Sequence, residues 1–172
     1  MEYEEFARDQ LPGLVGFAAA LTGDRQLAQD LVQDTMVRAF LKWGRVASVD
    51  RPDLYLRRMV INGHRTWRRR WYQRTVRSVA EMADAPTTTV ADSTGQVADR
   101  DEIATLLAGL GRQQRAAIVL RFYEDRDDDE IAEALGCAPA TVRGYISRGL
   151  ATLRIKVREE AGARATTEVA TS

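Results

Sequence analysis

The chain of 172 residues has one cysteine, Cys137, and one histidine, His64. A lone cysteine excludes an intramolecular disulfide and a multi-cysteine zinc site, and fits a reducing cytoplasm. His64 has no cysteine or histidine partner at ligand spacing, which argues against a metal centre or imidazole acid–base catalysis. Long apolar runs are also lacking. No stretch approaches the ~18 residues of a membrane span, and the first ten residues, MEYEEFARDQ, are acidic and without an apolar signal core. Neither membrane insertion nor export is expected. There is no phosphate loop, ligand array or nucleophile with a base, so neither a cofactor nor enzymatic turnover is expected. Net charge is absent too, with 25 basic against 25 acidic side chains.

That balance conceals segregation. Met1 to Asp34 holds seven acids and two bases; Arg57 to Arg77, RRMVINGHRTWRRRWYQRTVR, holds eight arginines and no acid. Glu124 to Glu130, EDRDDDE, has six acids and one base, and Ala138 to Arg158 has five bases and no acid. A single charge run is usually a solvated face. Two acid-free basic segments, each on an expected helix, point instead to a polyanion. EDRDDDE lacks the glycine and spaced terminal glutamate of a calcium loop.

Apolar residues recur at helical spacing and period-two alternation is absent, so the fold class is all-α. A first helix is expected over Tyr3 to Leu21 with Leu14, Phe17, Ala18 and Leu21 inward and Pro12 as a kink point. Thr22-Gly23 ends it, and Asp24 caps a second helix to about Trp43. Val32, Met36, Ala39, Phe40 and Trp43 form its inward stripe; Asp30, Gln33 and Asp34 share the other face. After a loop, Pro52 starts a third helix. Leu56, Met59, Val60, Gly63 and Trp67 are expected in its core stripe, with Arg58, Ile61, Asn62, Arg65 and Arg69 opposite and His64 beside the basic face. Ala83 to Asp99 is small, polar and threonine-rich, and reads as a linker. Periodicity returns with Ile103, Leu106, Leu107 and Leu110, then Ala117, Ile118 and Phe122. The tail beyond Arg158 has little to pack and is expected to fray.

Asp127 to Arg154, DDDEIAEALGCAPATVRGYISRGLATLR, has the grammar of a helix-turn-helix. Asp127 or Asp128 can cap a short helix whose Ile131, Ala132 and Leu135 point inward. Gly136 permits the turn, Cys137 fits it as a small buried side chain, and Pro139 begins the next helix. Val142, Ile146, Leu150 and Leu153 bury one face. Ala140, Thr141, Arg143, Gly144, Tyr145 and Arg148 remain outside, short or basic groups that can enter a major groove.

These residues resemble a known family. LLAGLGRQQRAAIVLRFYEDRDDDEIAEALGCAPATVRGYISRGLATLR resembles region 4 of bacterial sigma factors. LTGDRQLAQDLVQDTMVRAFLKW, followed by the arginine helix, resembles region 2. Over roughly Phe6 to Arg158 the chain resembles an extracytoplasmic-function (ECF) sigma factor of the sigma-70 family, nearest in pattern to the actinobacterial sigma-E group. Departures are Leu110-Gly111 in place of Leu-Pro, Cys137-Ala138-Pro139 in place of a serine cap, and Gly144-Tyr145 in place of a small-then-basic pair.

The resemblance implies region 2 over residues 1–80, a flexible linker over 81–99, region 4 over 100–158 and a disordered tail over 159–172. It implies a cytoplasmic protein that directs core RNA polymerase to promoters. Asp30, Gln33, Asp34 and Arg38 would meet the β′ clamp helices, and region 4 would pack on the β-flap. Region 2 would open the −10 element and region 4 would read the −35 element as duplex through Ala140, Thr141, Arg143, Gly144, Tyr145 and Arg148. An anti-sigma protein controls many relatives. Arg58, Asn62, Arg65 and Arg69 would line the −10 side, the loop with Val46, Ser48 and Asp50 would hold an extruded base, and Trp71 and Tyr72 would stack on single-stranded bases. Arginines supply affinity by displacing counterions. Stacking is worth ~1–3 kcal/mol per base against ~0.6–2.2 kcal/mol to open a base-pair step, so a few captured bases can offset melting without ATP. A stand-alone dimeric helix-turn-helix regulator would explain Asp127 to Arg154 but leave the arginine helix idle.

Overall fold

The computed structural model describes residues 2–79 and 103–170, with side chains over 2–70 and 103–162. The expected linker 81–99 lies outside the described residues, as do the side chains of Trp71 and Tyr72. Helix α1 covers Tyr3–Thr22, and Pro12 sits inside it without ending it. Gly23 takes a left-handed φ of 69° and donates its N–H to Ala19 O at 2.9 Å, which closes the helix. Thr22 Oγ1 accepts from the Asp24 N–H, and the Asp24 carboxylate accepts from Leu27 N at 3.0 Å, starting α2 over Arg25–Leu41. The two form an antiparallel hairpin, tied at its open end by Tyr3 Oη donating to Met36 O at 2.8 Å. A one-turn α3, Trp43–Val46, leads to α4, Pro52–Val79, which crosses α1 and α2.

The second unit begins with a short α5 over residues 103–108. Then come α6, Arg112–Phe122, α7, Asp128–Leu135, and α8, Pro139–Ala170. Asp127, of the two capping candidates, caps α7: its carboxylate accepts from Glu130 N at 2.9 Å while Glu130 accepts from Asp127 N at 3.1 Å. Gly136, at φ 67°, ends α7. Pro139 opens α8, and Ala138 O accepts from Thr141 N and Val142 N, so no side-chain cap is needed there. Leu135, Cys137, Ile146, Leu150 and Leu153 pack partly buried around Ile131, Ala132 and Val142. Among the described residues every regular element is a helix.

The two units share one core that runs from Phe6, Leu14 and Phe17 through Val60 and Ile61 to Ile118, Leu120 and Ile131. Arg115 to Leu120 are buried without a break, because α6 is covered by α1 on one side and by α7 and α8 on the others. A helix buried all round loses its polar stripe.

Several expected orientations change for this reason. On α4 the buried set among the described side chains is Leu54, Leu56, Arg57, Val60, Ile61 and His64. Arg57, Ile61 and His64 fall at i, i+4 and i+7 on the side facing the second unit. Ile61 and His64, expected on the outer side, are therefore inside, while Trp67, expected in the core, is 41% exposed. Phe40 is also exposed and meets Tyr3 with ring centroids 5.1 Å apart, and Ile103 and Phe122 lie outward. Beyond Arg158, where fraying was expected, α8 continues to Ala170, in a stretch with four alanines and three glutamates, residues of high helix propensity.

Replacing Asp127 with alanine removes the reciprocal cap of α7 and should lower stability by about 1 kcal/mol. Urea denaturation followed by circular dichroism checks this; an unchanged midpoint would mean that α7 is held by packing alone.

Candidate nucleic-acid and polymerase interfaces

Three surfaces carry the expected functional residues, and a fourth was not foreseen. On α2, Asp30, Gln33, Asp34 and Arg38 are all exposed on one side. Arg38 pairs with Asp34 at 3.0 Å across one helical turn, and Gln26 donates to Asp30 at 3.2 Å. Val37, Phe40 and Leu41 are exposed beside them. The sequence held a signal for this apolar addition: α2 has more large apolar residues than Val32, Met36 and Ala39 leave room for on one inward stripe.

On α4, Arg58, Asn62, Arg65 and Arg69 are exposed and repeat at three- and four-residue spacing, a row of about 16 Å along the axis. Arg68 and Arg70 are exposed as well, so the cationic face is broader than the expected row. The loop leading to α4 is split. Ser48 and Asp50 are exposed, and Ser48 Oγ donates to Arg45 O at 2.9 Å. Val46, expected to contact DNA, is 1% exposed and belongs to the core; its isopropyl group fills the space under α3, and only its neighbours face solvent.

On α8, Ala140, Arg143 and Arg148 are exposed, and Thr141, Gly144 and Tyr145 partly so. Arg148 lies over the Tyr145 ring at 5.7 Å, a cation–π contact that holds both side chains along the outer face. Arg143 Nη1 donates to Asp128 at 3.1 Å, and Asp128 also pairs with Arg121.

The fourth surface was not foreseen: the seam between the units. Arg57 Nε donates to Glu124 Oε2 at 2.8 Å and Nη2 to Oε1 at 2.9 Å, while Nη1 reaches Gln10 Oε1 and Asp53 O. Both side chains of the pair are nearly buried, at 6% and 7% exposed. Beside it Arg126 pairs with Asp53 at 2.9 Å and with Glu130 at 2.9 Å, and Arg51 reaches Asp53 and Glu130. The run EDRDDDE is thus largely consumed by internal pairs and a cap. Arg115 Nε donates to Ala20 O at 3.1 Å, at the carbonyl end of α1, where a cation is favoured.

Burial of Glu130 and Asp53 opposes their charge, but hydrogen bonds from Arg51 and the field of Arg126 outweigh it. Glu130 is brought down to about 2 and Asp53 is lowered too. Burial pushes His64 down to about 4, helped by Arg68, Arg115 and Arg112. Its Nδ1 has no hydrogen-bond partner in the protein. Burial likewise raises the Cys137 thiol. No grouping of His, Cys, Asp and Glu that could hold a metal occurs among the described residues, and none of their helices is long and apolar enough to cross a membrane.

A helix-turn-helix with a basic outer face is joined to a helical bundle with an exposed arginine row, which gives two cationic surfaces on helices. Residues 6–76 match the family model for sigma-70 region 2, and residues 100–153 that for sigma-70 region 4. The chain is 37% identical to an RNA polymerase sigma-E factor of Streptomyces avermitilis over 90% of its length and 84% of that protein's. It is 30% identical to the ECF RNA polymerase sigma factor SigL of Mycobacterium tuberculosis over 83% of its length and 81% of the relative's. Its fold matches the sigma factor RpoE of Bartonella quintana, solved in complex with the anti-sigma factor NepR, with a TM-score of 0.75 and 23% identity over 91% of this chain and 96% of that one. It also matches CnrH, solved in complex with the cytosolic domain of CnrY, with a TM-score of 0.63 and 23% identity over 91% of this chain and 88% of that one. The chain belongs to the extracytoplasmic-function sigma factors of the sigma-70 family.

The buried groups set the acid response. An imidazole held near 4 when folded and titrating at 6.5 when free favours the unfolded chain as it takes up a proton. Stability therefore falls as pH drops from 6.5 to about 4. Glu130 adds a second loss as pH falls from 4.5 through about 2. His64→Leu, which removes an Nδ1 without a hydrogen-bond partner, should flatten the first limb. Urea midpoints measured from neutral pH downward check this; an equal decline in wild type and variant would place the proton uptake elsewhere.

Proposed function

We propose that this sigma factor divides promoter recognition and polymerase contact among the described surfaces. The α2 face of Asp30, Gln33, Asp34 and Arg38, extended by Val37, Phe40 and Leu41, binds the β′ clamp helices of core RNA polymerase. The α4 row of Arg58, Asn62, Arg65 and Arg69, with Ser48 and Asp50 at its entrance, holds the melted −10 element, where Trp71 and Tyr72 stack on bases. Region 4 packs on the β-flap and sets Ala140, Thr141, Arg143, Gly144, Tyr145 and Arg148 of α8 in the major groove of the −35 element. The division of labour is region 2 over 1–80 and region 4 over 100–158. The protein has no catalytic activity of its own and works in the cytoplasm. The observation that carries this reading is the exposed, acid-free arginine row of α4 standing apart from the α2 face. Phosphate contacts there supply affinity, and a separate protein-binding face delivers the polymerase.

An anti-sigma factor that covers the polymerase-binding faces is the expected regulator. Both solved structures named above are complexes, that of RpoE with an anti-sigma factor and that of CnrH with CnrY.

In transcription with purified core enzyme, Arg65→Ala with Arg69→Ala should leave polymerase binding within about twofold. The same pair should reduce strand opening and lower the salt slope of promoter binding by about 1.4. Loss of polymerase binding instead would refute the assignment of that face. Arg143→Ala should weaken discrimination within the −35 element by about 1–3 kcal/mol if Arg143 reads a base, whereas an effect equal on all sequences would mark it as a phosphate contact.

A further inference from the structure

The outer face of α8 carries two arginines in different situations. Arg143 is committed: its Nη1 donates to Asp128, which also pairs with Arg121. Arg148 is exposed and pairs with no acid among the described residues, so its N–H donors are unspent. Its place is set by shape instead. Side chains on a helix lean toward the N-terminus, so residue 148 comes to lie over residue 144, one turn back. There the guanidinium rests over the Tyr145 ring, 5.7 Å from its centroid, and against the bare backbone of Gly144. A Cβ on Gly144 would stand 3.3 Å from Nη1, 3.5 Å from Nη2 and 3.7 Å from Cζ of Arg148. No other side chain lies as near to that point. Gly144 has no positive φ, and α8 runs through it without a break. The backbone therefore does not call for glycine, which is costly inside a helix relative to alanine. What the glycine supplies is room for Arg148.

We propose that Gly144 and Tyr145 form a seat for Arg148, and that the seated Arg148 is the residue that reads a guanine in the −35 element. The proposal rests on the reading given above in which α8 enters the major groove. A guanidinium fork donates to O6 and N7 of guanine together, a pair of acceptors that no other base offers there. That contact needs the fork held in one plane and in one place. Tyr145 fixes the plane, because a guanidinium stacks flat on an aromatic face. Gly144 fixes the place, because the side chain can fold back by about one turn, or 5.4 Å, only where no Cβ blocks it. This carries the cation toward the first turn of α8, the end of a recognition helix that meets base edges. Ala140 and Thr141 in that turn are short and leave the groove open. An arginine ordered before binding also has less rotamer freedom to lose on contact. Gly144 and Tyr145 are thus positioning residues, and Arg148 is the reader.

The test is selection by holoenzyme, assembled from the full chain and core polymerase, of promoter DNA randomised across the −35 element. Wild type is compared with Arg148→Lys, Arg148→Ala, Gly144→Ala, Tyr145→Leu and the double variant Gly144→Ala with Arg148→Ala; Thr141→Ala and Arg143→Ala serve as controls. Wild type should prefer guanine at one position by about 5- to 150-fold, the range of one bidentate pair. Arg148→Lys keeps the charge and loses the fork, so it should abolish that preference and change the salt dependence little. Gly144→Ala should raise thermal stability, because alanine is the better helix former. The same change should cut the guanine preference by about threefold or more and leave the other positions alone. Tyr145→Leu should cut it likewise. In the Arg148→Ala background Gly144→Ala should have no further effect, since the seat then has no occupant. If the glycine serves only to let the helix approach DNA, alanine costs the same in both backgrounds and the seat is overturned. A guanine preference that survives Arg148→Lys or Gly144→Ala overturns it too, as does a loss equal on all sequences, the mark of a phosphate contact. If the −35 preference follows Thr141 or Arg143 and not Arg148, the groove reading stands and the seat fails. A wild-type holoenzyme indifferent to the −35 bases sinks both.

Discussion

The structure depends on one buried ion pair. Arg57 and Glu124 come from opposite units, are almost removed from solvent, and satisfy each other with two parallel hydrogen bonds while Gln10 and the Asp53 carbonyl take the remaining donor. An arginine on a helix that must stay cationic outside would be costly to bury unless every N–H were matched. Here each of its three nitrogens finds an acceptor, and α4 presents two sides: an inner side joined to region 4 and an exposed side lined with arginines. Around the pair, Arg51, Asp53, Arg126 and Glu130 share charges in a lattice partly open to water, where salt and competing contacts weaken it.

This changes the meaning of the charge pattern. Part of the acidic complement is committed to arginines and helix ends within the protein. Glu124 and Glu130 hold the seam, Asp127 caps α7, and Asp128 steadies Arg121 and Arg143. The arginines left over, on the outside of α4 and α8, have no acid of comparable density nearby.

Most of the secondary structure was legible. The hairpin turn at Gly23, the cap at Asp24, the start of α4 at Pro52 and the whole helix-turn-helix follow from local chemistry, and the structure places them as read. The exposed residues on α2, α4 and α8 were legible for the same reason: a polar residue opposite an apolar stripe has one place to go. The residues misplaced inward on α4 share a cause. Ile61 and His64 are buried, because periodicity identifies a stripe only when one side of a helix is covered. Helix α4 is covered on two sides and α6 all round. The uninterrupted run Arg115 to Leu120 was the available hint, since six buried residues in succession need neighbours on every side.

The sequence by itself determined that this protein is helical, where most of its helices begin, and that its cations gather on two of them. These properties come from interactions within a few residues along the chain: capping bonds, turn conformations and the spacing of apolar groups. Only the tertiary structure decided which arginines are structural and which are free. Arg57 and Arg58 are adjacent and identical in type, yet one is locked to a glutamate 67 residues away while the other is exposed. That distinction depends on how two units meet in space, and no local pattern carries it.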